Sequence, residues 1–115
     1  MSKKLNQSFC EACKFDIPVL SKKEIQELAP QIPSWAIFEE EDIKKLICSF
    51  AFLNYKDSLV FVNKVAALAE KEDHHPVIIL EWGKVTVLWW SHKIKGLHKN
   101  DFICAAKTDD IYKGN

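Results

Sequence analysis

Four histidines hold most of this chain's capacity for proton chemistry near neutrality: the adjacent His74 and His75, then His92 and His98. Imidazole titrates at about pH 6.5, so it takes up and returns protons under ordinary conditions. Glu70 lies one helical turn before His74, Asp73 is adjacent to it, and Asp101 follows further on. Neighbouring imidazoles oppose each other's charging and neighbouring carboxylates favour it, which lets one ring stay neutral while another is protonated. Such a set suits general acid–base catalysis. His74, His75 and His92 could equally hold zinc with an open fourth position. The plain alternative is a histidine-containing loop before Pro76, and the residue types alone leave all three readings open.

Whether the rings meet depends on the elements that carry them. Val77 to Trp82 and Val85 to Trp90 are β-branched and aromatic runs flanking Gly83-Lys84. A two-residue loop with glycine first predicts a type II′ hairpin. Trp82 then opposes Val85, and the same register carried to the open end sets His75 opposite His92, with Cβ atoms ~5 Å apart. Upstream, Tyr55 to Glu72 has helical periodicity through Phe61, Val65 and Leu68, with Asn54 as N-cap and Asp57 in the positive first turn. Pro76 disfavours helical geometry in the residue before it, so this helix is expected to end near His75.

The remaining elements follow the same logic. Ser21-Lys22-Lys23-Glu24 has the spacing of a capping box and opens a short helix that Pro30 and Pro33 stop. Strands are expected over Trp35 to Glu39 and Ile43 to Phe52, joined through the acidic run Glu39-Glu40-Glu41-Asp42. A last helix is expected from about Lys99 through Ala106. The order helix-strand-strand-helix-strand-strand-helix predicts an α+β, two-layer domain: a four-stranded antiparallel sheet with helices packed on one face. Alternation puts Ile78, Leu80, Trp82, Val85, Val87 and Trp89 on one sheet face and Val77, Ile79, Leu88 and Trp90 on the other. The second face is too apolar for full solvation and predicts a ligand floor or a subunit contact.

A chain of 115 residues suits one domain, placed at 21–115 behind an N-terminal extension, 1–20, with no helical or alternating period. Phe9, Phe15 and Ile17 are the residues through which that extension would lie on the domain. No apolar run reaches the ~20 residues of a membrane span, and Met1 to Asp16 lacks the pattern of a signal peptide. A cytoplasmic location without membrane association is therefore expected. The formal net charge is zero and every cationic side chain is lysine, which argues against a nucleic-acid partner. Cys10 and Cys13 have the spacing of half a zinc site, but Cys48 and Cys104 supply no second half, so reduced thiols are expected.

The combined pattern resembles the pterin-4a-carbinolamine dehydratase family. The likeness runs through Glu70-Lys71-Glu72-Asp73-His74-His75-Pro76, then Trp82, His92 and Asp101 at set intervals, with Phe52-Leu53-Asn54-Tyr55 and Ala66-Ala67-Leu68-Ala69 upstream. It covers roughly 21–111. The resemblance implies dehydration of 4a-hydroxytetrahydrobiopterin and related 4a-hydroxytetrahydropterins to quinonoid dihydropterins, which recycles the cofactor of aromatic amino acid hydroxylases. It implies catalytic roles for His74, His75 and His92, and substrate-binding roles for Glu70, Asp73, Pro76, Ser91 and Asp101. It also implies homodimers or homotetramers, with no cofactor and no metal. Animal members act as dimerisation cofactors of a transcription factor, which keeps a non-enzymatic binding module as the alternative. Two positions depart from the pattern: His98 stands where the family often has a Ser or Thr N-cap, and Ser91 where threonine is common.

Overall fold

The structure is a computed structural model that describes residues 4–7 and 19–114. Cys10, Cys13, Phe9, Phe15 and Ile17 lie outside the described residues. The elements run α1 (Lys22–Leu28), β1 (Ala36–Glu40), β2 (Ile43–Ala51), α2 (Tyr55–Glu72), β3 (Val77–Glu81), β4 (Lys84–Trp89) and α3 (Lys99–Lys113). The strands form one antiparallel sheet in the order β1-β2-β4-β3.

Local chemistry accounts for the helix starts. The Ser21 hydroxyl accepts from the Glu24 amide while the Glu24 carboxylate accepts from the Ser21 amide, so the capping box forms in full. The Asn54 side chain accepts from the Asp57 amide at 2.8 Å and opens α2. His98 opens α3: its Nδ1 accepts from the Asn100 amide at 3.1 Å, and the Asp101 carboxylate accepts from the His98 amide at 2.9 Å.

The core lies between the sheet and the helices. Val85, Val87 and Trp89 of β4 are fully buried against Phe61 and Val65 of α2 and Phe102 of α3. Leu5, in a 3-10 turn near the N-terminus, joins the same core. Only one stripe of α2 is covered within the chain, since Leu59 and Val60 stay more than two-fifths exposed. On the uncovered face of the sheet, Ala36, Ile47, Leu88 and Val77 oppose one another in a single row across all four strands. That face keeps Phe38, Val77 and Ile79 exposed.

Three expectations need correction. The β1–β2 turn uses Glu41 and Asp42, both at positive φ, so β1 starts and ends one residue later than expected. The β3–β4 loop is Trp82-Gly83, with Glu81 opposite Lys84, and Gly83 has no positive φ, so the turn is not type II′. Gly83 serves close approach instead. Its carbonyl accepts from the Phe52 amide at 2.9 Å, and a Cβ there would stand 3.2 Å from the Phe52 carbonyl. The new register keeps the strand side chains on their expected faces, but it leaves Trp82 exposed in the loop, not opposite Val85, and sets His75 in line with Trp90, not His92. Finally, α3 continues to Lys113. Two residues of its polar second half accept from buried indoles: Trp89 Nε1 donates to Thr108 Oγ1 at 3.1 Å, and Trp35 Nε1 to Asp109 Oδ1 at 2.8 Å.

Candidate active site

The histidines sit where α2 ends and β3 begins, beside the loop that follows β4. Asp73 terminates α2 in the left-handed conformation (φ 51°), and its amide donates to the Ala69 and Glu70 carbonyls. The His74 amide donates back to the Ala69 carbonyl at 3.1 Å. The chain therefore turns sharply, and the two adjacent imidazoles end in different surroundings.

His74 is 7% exposed. Its ring stacks on Trp89 with centroids 5.6 Å apart and planes 17° apart. Its Nε2 lies 2.6 Å from Asp101 Oδ1. The other oxygen, Asp101 Oδ2, accepts from Ser91 Oγ at 2.8 Å and from the His98 amide at 2.9 Å. An ionised carboxylate only accepts, so Nε2 of His74 donates and its Nδ1 is free of that bond. Ser91 and Asp101 are fully buried, and Asp101 joins Ser91 to His74.

His75 is more than half exposed, and its Nε2 lies 3.2 Å from Glu70 Oε1 across the end of α2. His92 is exposed at the start of the loop closed by Ser91 and Gly96, whose backbones pair. Its ring packs on Trp90 with centroids 4.3 Å apart. Lys45 of β2 reaches the same indole, with Nζ 4.2 Å from the ring centre, while holding Glu40 at 3.0 Å. Asp73 is exposed and Pro76 half-buried at the entry to β3.

The contacts thus divide the predicted residues into two sets. Trp89 and Ser91 point inward to His74 and Asp101, whereas Trp90 and His92 pack together away from them. Strand alternation past the end of β4 carries this division, and it was available in the sequence. Trp89 as the stacking partner of His74, and Lys45 as the cation on Trp90, were not foreseen. Lys45 in particular comes from β2, which only the sheet order brings beside Trp90. Among the described residues, every buried side-chain nitrogen and oxygen has a hydrogen-bond partner. Among them, too, no three His, Cys, Asp or Glu side chains are grouped to hold a metal ion.

Comparison with known proteins matches residues 18–111 to the family of pterin 4 alpha carbinolamine dehydratases. The chain belongs to that family. Three bacterial relatives provisionally named pterin-4-alpha-carbinolamine dehydratase agree over nearly their whole length. The protein of Nitrosococcus oceani is 57% identical over 104 residues, covering 90% of this chain and 92% of its own. That of Saccharophagus degradans is 51% identical over 110 residues, covering 96% and 97%. That of Photobacterium profundum is 55% identical over 105 residues, covering 91% and 94%. A crystal structure from Brucella melitensis, described as a transcriptional coactivator/pterin dehydratase, superposes with a TM-score of 0.74 at 26% identity, over 82% of this chain and 98% of that one. A pterin dehydratase-like protein described as a RuBisCO assembly factor shares the fold at a TM-score of 0.59 and 24% identity, over 69% and 89%. The α+β architecture expected from the sequence is thus that of a pterin dehydratase. No helix among the described residues is long and apolar enough to cross a membrane.

Proposed function

We propose that the protein dehydrates 4a-hydroxytetrahydrobiopterin or a related 4a-hydroxytetrahydropterin to the quinonoid dihydropterin in the cytoplasm, recycling the cofactor of an aromatic amino acid hydroxylase. One observation carries the reading: a buried His74–Asp101 pair stands next in the chain to the exposed His75, with an exposed His92 just past β4, in a chain that belongs to the pterin dehydratase family.

The chemistry asks for an acid and a base. Hydroxide is a poor leaving group, so an acid protonates the C4a hydroxyl while the N5 lone pair expels it as water and forms the C4a–N5 double bond. A base then takes one N–H proton from the cationic pterin. We assign these transfers to His75 and His92, whose exposed rings can reach a solute. Glu70 orients His75: when Nε2 carries the proton and donates to the carboxylate, Nδ1 is left as the acceptor. His74 forms the wall of the site, held in one orientation by Asp101, Ser91 and Trp89. Its Nδ1 is the group that would hold a polar edge of the pterin.

The test is the dehydration rate of freshly generated 4a-hydroxytetrahydropterin with the wild type, His74→Ala, His75→Ala and His92→Ala. A wild-type rate far above buffer that collapses in folded variants supports the reading. A rate no better than buffer defeats it.

A second reading, a protein-binding module, has its own observation. A groove of about 530 Å³ lined by Phe52, Leu53, Val60 and Tyr112 opens near the start of α2, and Leu53 is 88% exposed. We assign this apolar surface, like the uncovered sheet face, to assembly of homodimers or homotetramers. Analytical ultracentrifugation tests that assignment, and a monomer at micromolar concentration would refute it.

A further inference from the structure

The end of α2 is tied to α3 at two places. One is the His74–Asp101 bond. The other is an ion pair between Glu72, the last residue of α2, and Lys107 of α3. Their side chains are 6% and 17% exposed, so the pair is largely withdrawn from water. Asp101 and Lys107 are separated along α3 by a rise of about 9 Å. A single attachment would let the helix end pivot, and two separated ones do not. Between Glu72 and the His74 ring stand only Asp73, fixed as the left-handed cap, and the His74 backbone, bonded to Ala69. A shift of Glu72 therefore passes to His74 with little slack.

We infer that Glu72 and Lys107 are positioning residues: their buried ion pair holds the end of α2 against α3 so that His74 meets Asp101. The kinetic consequences rest on the dehydratase reading; the geometry does not. Desolvation offsets most of the attraction in such a pair, so its net contribution to stability is small, while removal of one partner leaves the other charge buried. The pair sets geometry more than it stabilises the fold.

The full-length chain is tested as Lys107→Met, as Glu72→Asp, and as the apolar exchange of Glu72→Leu with Lys107→Leu. The two readouts are dehydration kinetics and the NMR resonance of the His74 Nε2 proton, which its bond to Asp101 moves downfield and protects from exchange. Both single variants should weaken that resonance and lower kcat by roughly tenfold to a hundredfold, as a misplacement of about 1 Å can do. KM should change little, because neither residue touches substrate. The apolar exchange should restore close packing and recover the resonance. An unchanged resonance and kcat in both single variants would overturn the inference. Should Lys107→Met fail to fold, Glu72→Asp decides, since it keeps both charges and only shortens the reach. A wild type without dehydratase activity defeats the functional reading alone, because the resonance still reports the geometry.

Discussion

Asp101 stands 2.6 Å from His74 through one carboxylate oxygen and binds Ser91 and the His98 amide through the other. One buried side chain therefore joins the end of α2, the loop after β4 and the start of α3. The same carboxylate completes the capping box of α3, so a fold determinant and a support for the candidate site are one group.

Replacing that carboxylate should cost both stability and activity. In Asp101→Asn the amide NH2 faces either His74 Nε2, which must then shift its proton to Nδ1 and accept, or both the Ser91 hydroxyl and the His98 amide, whose N–H loses its acceptor. Leaving a buried group unsatisfied costs about 1–3 kcal/mol. Urea denaturation should show a loss of that size. Ser91→Ala removes one donor and leaves Asp101 two, so it should be milder in both respects.

The exposed imidazoles should behave in the opposite way. His75→Gln and His92→Gln alter surface groups, and such changes usually stay within about 0.5 kcal/mol of the parent. Loss of a general acid or base should nevertheless lower kcat by roughly 10²–10⁴. Parallel denaturation curves with collapsed dehydration rates are the expected pair of results. A loss of activity confined to His74→Ala would reassign the proton transfers.

Asp109 predicts a pH dependence of stability. Burial pushes its carboxyl above the ordinary value of 3.8, against the Trp35 indole and Lys113, which lower it, while Asp110 adds to the rise. The native state thus holds this proton more tightly than the unfolded chain does. Its contribution is fully present below pH 3.8 and is lost as pH rises through the raised folded value. Asp109→Asn keeps an acceptor for Trp35 and should remove that decline. Urea midpoints of the two proteins, compared across the acid range, should draw apart in the variant's favour as pH rises.

Cys48 should be chemically quiet. Burial, and next the charge of Asp109, push its thiol up to about 11, so the reactive thiolate is scarce at neutral pH. Cys104 is fully buried. Iodoacetamide followed by peptide mapping should label neither in the native protein, and both after denaturation.

Much of this protein was determined by the sequence alone, wherever the cause lies within a few residues. Ser21 with Glu24 and Asn54 with Asp57 mark their helices because a capping bond spans three positions. The two sheet faces follow from alternation, which is why Val85, Val87 and Trp89 fell inward even though the hairpin register differed from expectation. The candidate site was legible as a set of residue types, and the division of Trp89 and Ser91 from Trp90 and His92 obeys the same alternation.

Only the tertiary structure decided which of those residues meet. The loop at Trp82-Gly83 is set by the approach of Phe52, the residue after β2, a contact no local pattern contains. The length of α3 depends on Thr108 and Asp109 finding indole donors on β4 and ahead of β1. The pairings of His74 with Asp101, Glu72 with Lys107 and Lys45 with Trp90 all join separate elements. Periodicity says which face a side chain takes, but the partner on that face is chosen by packing of the whole core, because close-packed helices and strands leave each buried polar group few places to find its bond.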